Sequence, residues 1–354
     1  MLPTNTSFVI GAGSGFDIGM PLGFDLIKTI EHNAKFKAEH GRIVGDPEAL
    51  VQSMFCEQIP GTLNLRRRQD QQSIYGANVR IRDATNLVGS IDDYVNLHNS
   101  DENLVRAAKI QIAYAILSSE RKCALRPTQV GYNASDLKRL DKTWMFDFFK
   151  MISKPSNSQN PEDIFKNISI INFNYDRCLE QFLISAIGKL YNIEVAEAAR
   201  LVRDADIVHP YGQVGDLPVI RPTEDSVEFG DNTGFQSITR ASNLIKTYTE
   251  QVNSEVTTRI KNMINNCTRV VFLGFGFHRQ NIDLLSIAGQ GQPHRTIYGT
   301  AIGESDPNIL EYAVRLRGIG GTVVPGQRMP GQVSLRRELD CSGLIQSYRE
   351  VLSS

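Results

Sequence analysis

A β-rich apolar run, Phe8-Val9-Ile10, ends in glycines at positions 11, 13 and 15, and an amphipathic stretch begins beyond them. A strand that turns through glycines into a helix brings backbone N–H groups and a helix N-terminus to one point. Glycine there lets a pyrophosphate approach the chain closely. The segment FVIGAGSGFDIGMPLGFDLI is therefore a candidate dinucleotide site. Its spacing argues against hydride transfer, whose fingerprint is G-x-G-x-x-G with an acid closing a second strand about 20 residues on. Phe16 stands where the third glycine belongs. Leu22, Leu26, Ile27 and Ile30 continue at helical spacing, so no second strand follows promptly. The pattern is instead G-A-G-x-x-x-x-x-G-x-P, with Gly19 and Pro21. Taken alone, it also fits a tight turn without a ligand.

The rest of the chain supplies a sheet for this turn. A helix is expected to about residue 40, and residues 41–89 read as loop-like and polar. From Ser90 the stretch SIDDYVNLHN offers an N-cap serine with acids in the first turn. Leu104, Ala108, Ile112 and Ile116 keep helical spacing, and another helix is expected from Lys142 to Ile152. Residues 41–165 thus read as a mostly helical insertion. Apolar runs then return in ISIINF (168–173), ADIVHPYG (205–212), RVVFLGFGF (269–277) and RTIYGTAI (295–302), with helical patterns after most of them. Strands alternating with helices, each strand ending in polar or glycine residues, indicate an α/β chain with a doubly wound parallel sheet. Ligands of such sheets sit at the C-terminal strand ends.

Composition narrows the function. With 354 residues, 41% hydrophobic and 22% charged, the chain has an ordinary globular balance. A net charge of -1 gives no case for direct nucleic-acid binding or a membrane surface. Arg66-Arg67-Arg68 reads as a solvated face. No apolar stretch approaches the ~20 residues of a membrane span. The start MLPTNTS lacks the features of a signal peptide, and the expected location is the cytoplasm. Five scattered cysteines without a C-x-x-C pair fit buried free thiols and argue against structural zinc; no metal is expected.

Four strand ends carry the candidate chemistry: GAGSGFDIGMP at 11–21, NFNYD at 172–176, HPYG at 209–212 and GFGFHRQNI at 274–282. Asn172, Asn174 and Asp176 form an amide and carboxylate cluster, although Asp176 also fits a helix cap. His209 stands at a strand end before a turn, and His278 is a second candidate. Gly274 and Gly276 suit a backbone closing over an adenosine ribose, or simply a tight strand exit.

In this order, G-A-G…G-x-P, then N-x-D, then His, then a late glycine turn, the chain resembles the sirtuin-like NAD-consuming domains across residues 7–300. The resemblance implies a Rossmann-like doubly wound parallel sheet with an inserted helical small subdomain, the whole of 1–354 forming one NADase domain. It implies that Gly11, Ala12, Gly13, Asp17, Gly19, Pro21, Asp176, Gly274 and Phe275 line the NAD+ site, with Ala12 and Gly13 at the pyrophosphate. Asn174 would hold the ribose and an attacking water, and His209 would be the general base. Two features depart from the protein deacylases of that family. Leu22-Gly23-Phe24 replaces Asp-Phe-Arg after the G-x-P, and no cysteine pairs build their zinc module. What remains is similar to the bacterial sirtuin-like NADases of anti-phage defence, although Arg279 stands where those often have Asp. That likeness implies depletion of NAD+ in abortive infection. It also implies gating by homo-oligomerisation or by a partner such as a HerA-type ATPase or a short Argonaute, with segments 41–89 and 318–354 as contact surfaces. The competing expectations are a deacylase or ADP-ribosyltransferase, and a module that senses NAD or ADP-ribose without cleaving it.

Overall fold

A computed structural model describes residues 5–39, 42–55, 64–126, 134–153, 160–247, 250, 252–287, 295–320 and 333–353. Its strands are β1 (Thr6–Ile10), β2 (Lys37–Glu39), β3 (Arg42–Val44), β4 (Ile168–Asn172), β5 (Ile207–Val208), β6 (Arg269–Leu273), β7 (Thr296–Thr300) and β8 (Val333–Arg336). Six of them form one sheet in the order β5-β4-β1-β6-β7-β8, with every pairing parallel. From central β1 the chain moves outward through β4 to β5. It then crosses to β6 on the other side of β1 and continues to β7 and β8. The strand order reverses between β1 and β6, which is the position where open α/β sheets bind their ligands. The fold is Rossmann-like α/β.

Side-chain alternation explains why the apolar runs form buried strands. Phe8, Ile10, Ile170, Val271 and Leu273 pack on one face, while Val9, Ile171, Val270 and Phe272 pack on the other. A parallel sheet covered on both faces needs such near-continuous apolar strands. Each buried side chain of this size contributes about 1.5–3 kcal/mol. The first face is continuous with the helices between β3 and β4, so Phe8 and Ile112 belong to one apolar cluster. The second is covered by the helices Ser254–Asn266 and Asp306–Gly320, through residues such as Ile264 and Leu316.

Local signals set the helix starts. Ser90 Oγ accepts from the Asp93 amide at 3.0 Å, beginning the helix Ile91–Leu97. Asp101 Oδ1 accepts from the Leu104 amide at 3.0 Å, beginning the helix Glu102–Lys122. Three stretches differ from expectation. The helix expected to about residue 40 ends at Asn33, and β2 follows it over Lys37–Glu39. Residues 41–89 hold β3 and the helices Glu48–Phe55 and Asn64–Ala84. The second of these buries a narrow stripe, with Ile74, Ala77, Ile81 and Ala84 the buried apolar residues among those described, which a polar sequence hides. The tail supplies edge strand β8 and the helix Cys341–Ser347, whose Ser342 bonds Asp147 of the helix Trp144–Ile152. The side chains of Arg66, Arg67 and Arg68, and Cys56 altogether, lie outside the described residues. The other four cysteines are buried free thiols. Among the described residues, no helix is long and apolar enough to cross a membrane.

Candidate active site

Register brings the strand ends to one level. Ile10 lies opposite Asn172 on one side and Leu273 on the other, and Val208 lies opposite Ile171. Gly11, Asn174, His209 and Gly274 therefore leave the sheet beside one another. The two glycine turns flanking the switch point lock together through the backbone. Gly11 N donates to Leu273 O at 3.0 Å, and Gly13 N donates to Gly274 O at 2.9 Å. A Cβ on Gly274 would stand 2.0 Å from Ser14 N, and its φ of +59° is left-handed. One on Gly11 would stand 2.7 Å from Gly274 O. Both positions require glycine because two backbones cross there.

The turn after β1 is a short 3₁₀ helix, Ala12–Ile18, closed by left-handed Gly19. Ala12 is exposed at its mouth, whereas the Gly13 amide is already bonded. Asp17 Oδ2 accepts from the Trp144 amide at 3.0 Å, so its carboxylate holds the start of a helix. Pro21 is partly buried at the entry to the helix Gly23–Asn33. Phe275 is buried among aromatic rings, 5.2 Å from Phe173 and 5.1 Å from Phe272 between centroids. The Gly274 amide donates to Thr300 Oγ1 at 2.9 Å.

Asn174 is tied to three strand ends. Its amide N–H donates to Asn172 Oδ1 at 3.1 Å, and its Nδ2 lies 3.5 Å from Ser14 Oγ. Its carbonyl accepts from His209 Nδ1 at 2.9 Å. Asp176 is buried and its Oδ1 accepts at 3.1 Å from the amide of Cys178, the first residue of the helix Cys178–Tyr191, whose N-cap position is held by Arg177. Burial pushes its carboxyl up to about 6, with the charge of Glu120 adding to the effect.

His209 has a second partner that the sequence did not reveal. Its Nε2 stands 2.8 Å from Glu180 Oε1, in a nearly buried pair. Burial opposes the imidazolium, but the charge and hydrogen bond of Glu180 outweigh it and raise the His209 pKa above its ordinary value. Both ring nitrogens are engaged, and the other Glu180 oxygen is buried without a hydrogen-bond partner among the described residues. His278 and Arg279 stand exposed at the start of the helix Arg279–Leu285.

Further residues complete the surroundings. Trp144 Nε1 donates to Ser14 O at 2.6 Å. Tyr211 donates to Asn281 Oδ1 at 2.8 Å, joining the turns after β5 and β6. Below them, Arg177 and Glu120 form a fully buried pair. Arg177 Nη2 and Nε meet the two carboxylate oxygens at 2.5 and 3.1 Å, and the guanidinium also bonds the carbonyls of Gly215, Val227 and Glu228. Among the described residues, no group of three His, Cys, Asp or Glu side chains is arranged to hold a metal. Neither a protein-family model nor a curated protein matches the chain.

Proposed function

We propose that this protein is an NAD+ glycohydrolase, cleaving the nicotinamide–ribose bond to give nicotinamide and ADP-ribose. The observation that carries the reading is Asn174, joined to Ser14 of the β1 turn and to His209 after β5 at the switch point of a Rossmann-like sheet. Nicotinamide leaves a cationic pyridinium as a neutral molecule, so the reaction needs little nucleophilic push and passes through an oxocarbenium-like state. The C1′–N bond breaks with its electron pair going to nicotinamide, and a water oxygen bonds C1′ from the far side. The asparagine amide can both donate and accept, which suits it to holding that water and the ribose hydroxyls.

His209 takes the water's proton, and for this Nε2 must first release the proton it shares with Glu180. The unpaired buried oxygen of Glu180 favours a working role, because such an atom is costly in a purely structural pair. Gating by self-assembly or by a partner chain, and a role in anti-phage defence, belong to this proposal. A second reading is favoured by one observation: with both nitrogens of His209 engaged, the site also suits a module that binds NAD without cleaving it.

Incubation with NAD+ in the absence of any acyl peptide, followed by chromatography, tests the proposal. Nicotinamide and ADP-ribose from the wild type, reduced about 10²–10⁴-fold or more in Asn174→Ala and His209→Ala, support it. Binding of NAD+ with no cleavage, alone and with the product of the neighbouring gene, replaces it with the sensing module.

A further inference from the structure

Dinucleotide-binding βαβ units carry an acid beyond the strand next to the glycine turn, where it accepts from the adenosine ribose. After β1 that acid has no place, because the next strands, β2 and β3, pair only with each other. The unit on the other side of the switch point has the layout instead. Apolar β6 ends in Gly274-Phe275-Gly276, the helix Arg279–Leu285 follows, and β7 returns parallel to β6 with Gly299 opposite Phe272. The first acid after β7 is Glu304.

A tight turn brings Glu304 back to the strand end. Its amide donates to Ala301 O at 3.2 Å, and Gly303 between them is left-handed, with φ of +78°. Asn308 Nδ2, from the helix Asp306–Gly320, donates to Glu304 Oε2 at 2.9 Å. The ring of Tyr312, on the same helix, stacks on Phe277 with centroids 4.9 Å apart and planes at 17°. Its phenol is bonded to Glu304, which together with burial holds the Tyr312 pKa above its ordinary value. Phe277 ends the second glycine turn, and that turn is itself tied to β7 through Gly274 N and Thr300 Oγ1.

The carboxylate is therefore held in place beside the glycine crossing. Next to it Ile302 is 62% exposed, and a Cβ on Gly303 would meet no atom within 4 Å among the described residues. A held carboxylate, an exposed apolar side chain and open space suit a ribose and the base attached to it. The cations at this end of the sheet are each matched by an acid: Arg337 by Asp306, Arg336 by Glu338 and Arg279 by Asp283.

We infer that the end of β7 is the adenosine subsite, where Glu304 accepts the 2′-hydroxyl of NAD+ and repels the 2′-phosphate of NADP+. On the NAD+ reading, on which this rests, the nicotinamide ribose lies with Asn174 and His209 on the β4 and β5 side. The other half of the dinucleotide then crosses the two glycine turns and comes down over β6 and β7. Ile302 packs against the adenine. Selection works by exclusion, because a carboxylate facing a phosphate is a like-charge contact.

Titration calorimetry with ADP-ribose and with its 2′-phosphorylated form tests this in wild type and Glu304→Gln. Wild type should bind ADP-ribose about 10–100-fold more tightly, the worth of one hydrogen bond to a charged group. Glutamine still accepts from Asn308 but carries no charge. In Glu304→Gln the ratio of the two affinities should fall toward one while the melting temperature stays close to that of wild type.

Equal wild-type affinities would overturn the inference, as would a ratio unchanged in Glu304→Gln. Tighter binding of the phosphorylated ligand would overturn it too, and would hand the subsite to the neighbouring arginines. NAD+ cleavage measured alongside separates the two claims. Discrimination without cleavage keeps the subsite and removes the hydrolase, whereas cleavage without discrimination keeps the hydrolase and removes the role of Glu304. Wild type that binds neither ligand overturns the subsite.

Discussion

His209 Nε2 lies 2.8 Å from Glu180 Oε1, while Nδ1 of the same ring lies 2.9 Å from the carbonyl oxygen of Asn174. A ring placed between a carboxylate and a carbonyl donates from both nitrogens when it is protonated. That is why its pKa is raised although burial acts the other way. The pair holds the loop after β4 against the strand end of β5, and it sets the pH at which a base becomes available.

Glu180→Gln should lower the His209 pKa and move the acidic limb of the pH–rate profile to lower pH. The same pair has a stability signature. A histidine with a raised folded pKa stabilises the fold below its unfolded pKa of about 6.5, and this stabilisation is lost as pH rises through the folded value. Wild type should thus lose more melting temperature than Glu180→Gln on the alkaline side of that window. Identical profiles for the two proteins would separate Glu180 from the titration.

The buried pair of Arg177 and Glu120 joins the insertion to the segment before the helix Cys178–Tyr191. Arg177→Met keeps much of the side-chain volume and leaves the Glu120 carboxylate and the three carbonyls without their donor. Loss of one partner of such a pair costs about 3–5 kcal/mol. Urea unfolding should show a loss of that order, and a loss below about 1 kcal/mol would mean that the surrounding carbonyls find other donors.

Gly274 and Gly276 occupy the same turn in different surroundings. Gly274→Ala forces a Cβ into the Ser14 amide in a left-handed conformation, whereas Gly276→Ala meets only the His278 ring, at 3.1 Å. The left-handed backbone alone costs about 1–2 kcal/mol, before the clash. Differential scanning fluorimetry should find Gly274→Ala strongly destabilised and Gly276→Ala close to wild type. Equal melting temperatures would mean that the turns do not interlock.

Trp144→Phe keeps the aromatic packing and removes the donor to Ser14 O. Leaving that buried carbonyl unpaired costs about 1–3 kcal/mol. Ser14 also touches Asn174, so the variant should weaken NAD+ binding in calorimetry more than Trp144's distance along the chain would lead one to expect. Unchanged binding would limit Trp144 to packing.

The sheet was legible wherever its strands are covered on both faces. β1, β4, β6 and β7 are apolar runs because each side of the sheet is buried, and even the two-residue β5 was marked by the His209 turn that follows it. β8 was not legible. Its sequence, VSLR, lies at the sheet edge with all four residues only partly buried, so no hydrophobic pattern marks it. The helix Asn64–Ala84 was hidden by its own polarity. Asn174 and His209 stood out because strand ends concentrate ligand chemistry, and the fold places them together. Their partners did not stand out, because Glu180 and Trp144 come near the site only through tertiary packing.

The backbone bonds between the first glycine turn and the turn after β6 join Gly13 to Gly274, which lie far apart along the chain. During synthesis β1, β4 and β5, and with them Asn174 and His209, are translated before Gly274. A nascent chain at that stage lacks the second glycine turn, so the first has no backbone to cross. A single proteolytic nick between β5 and β6, if the fragments separate, would undo the same crossing.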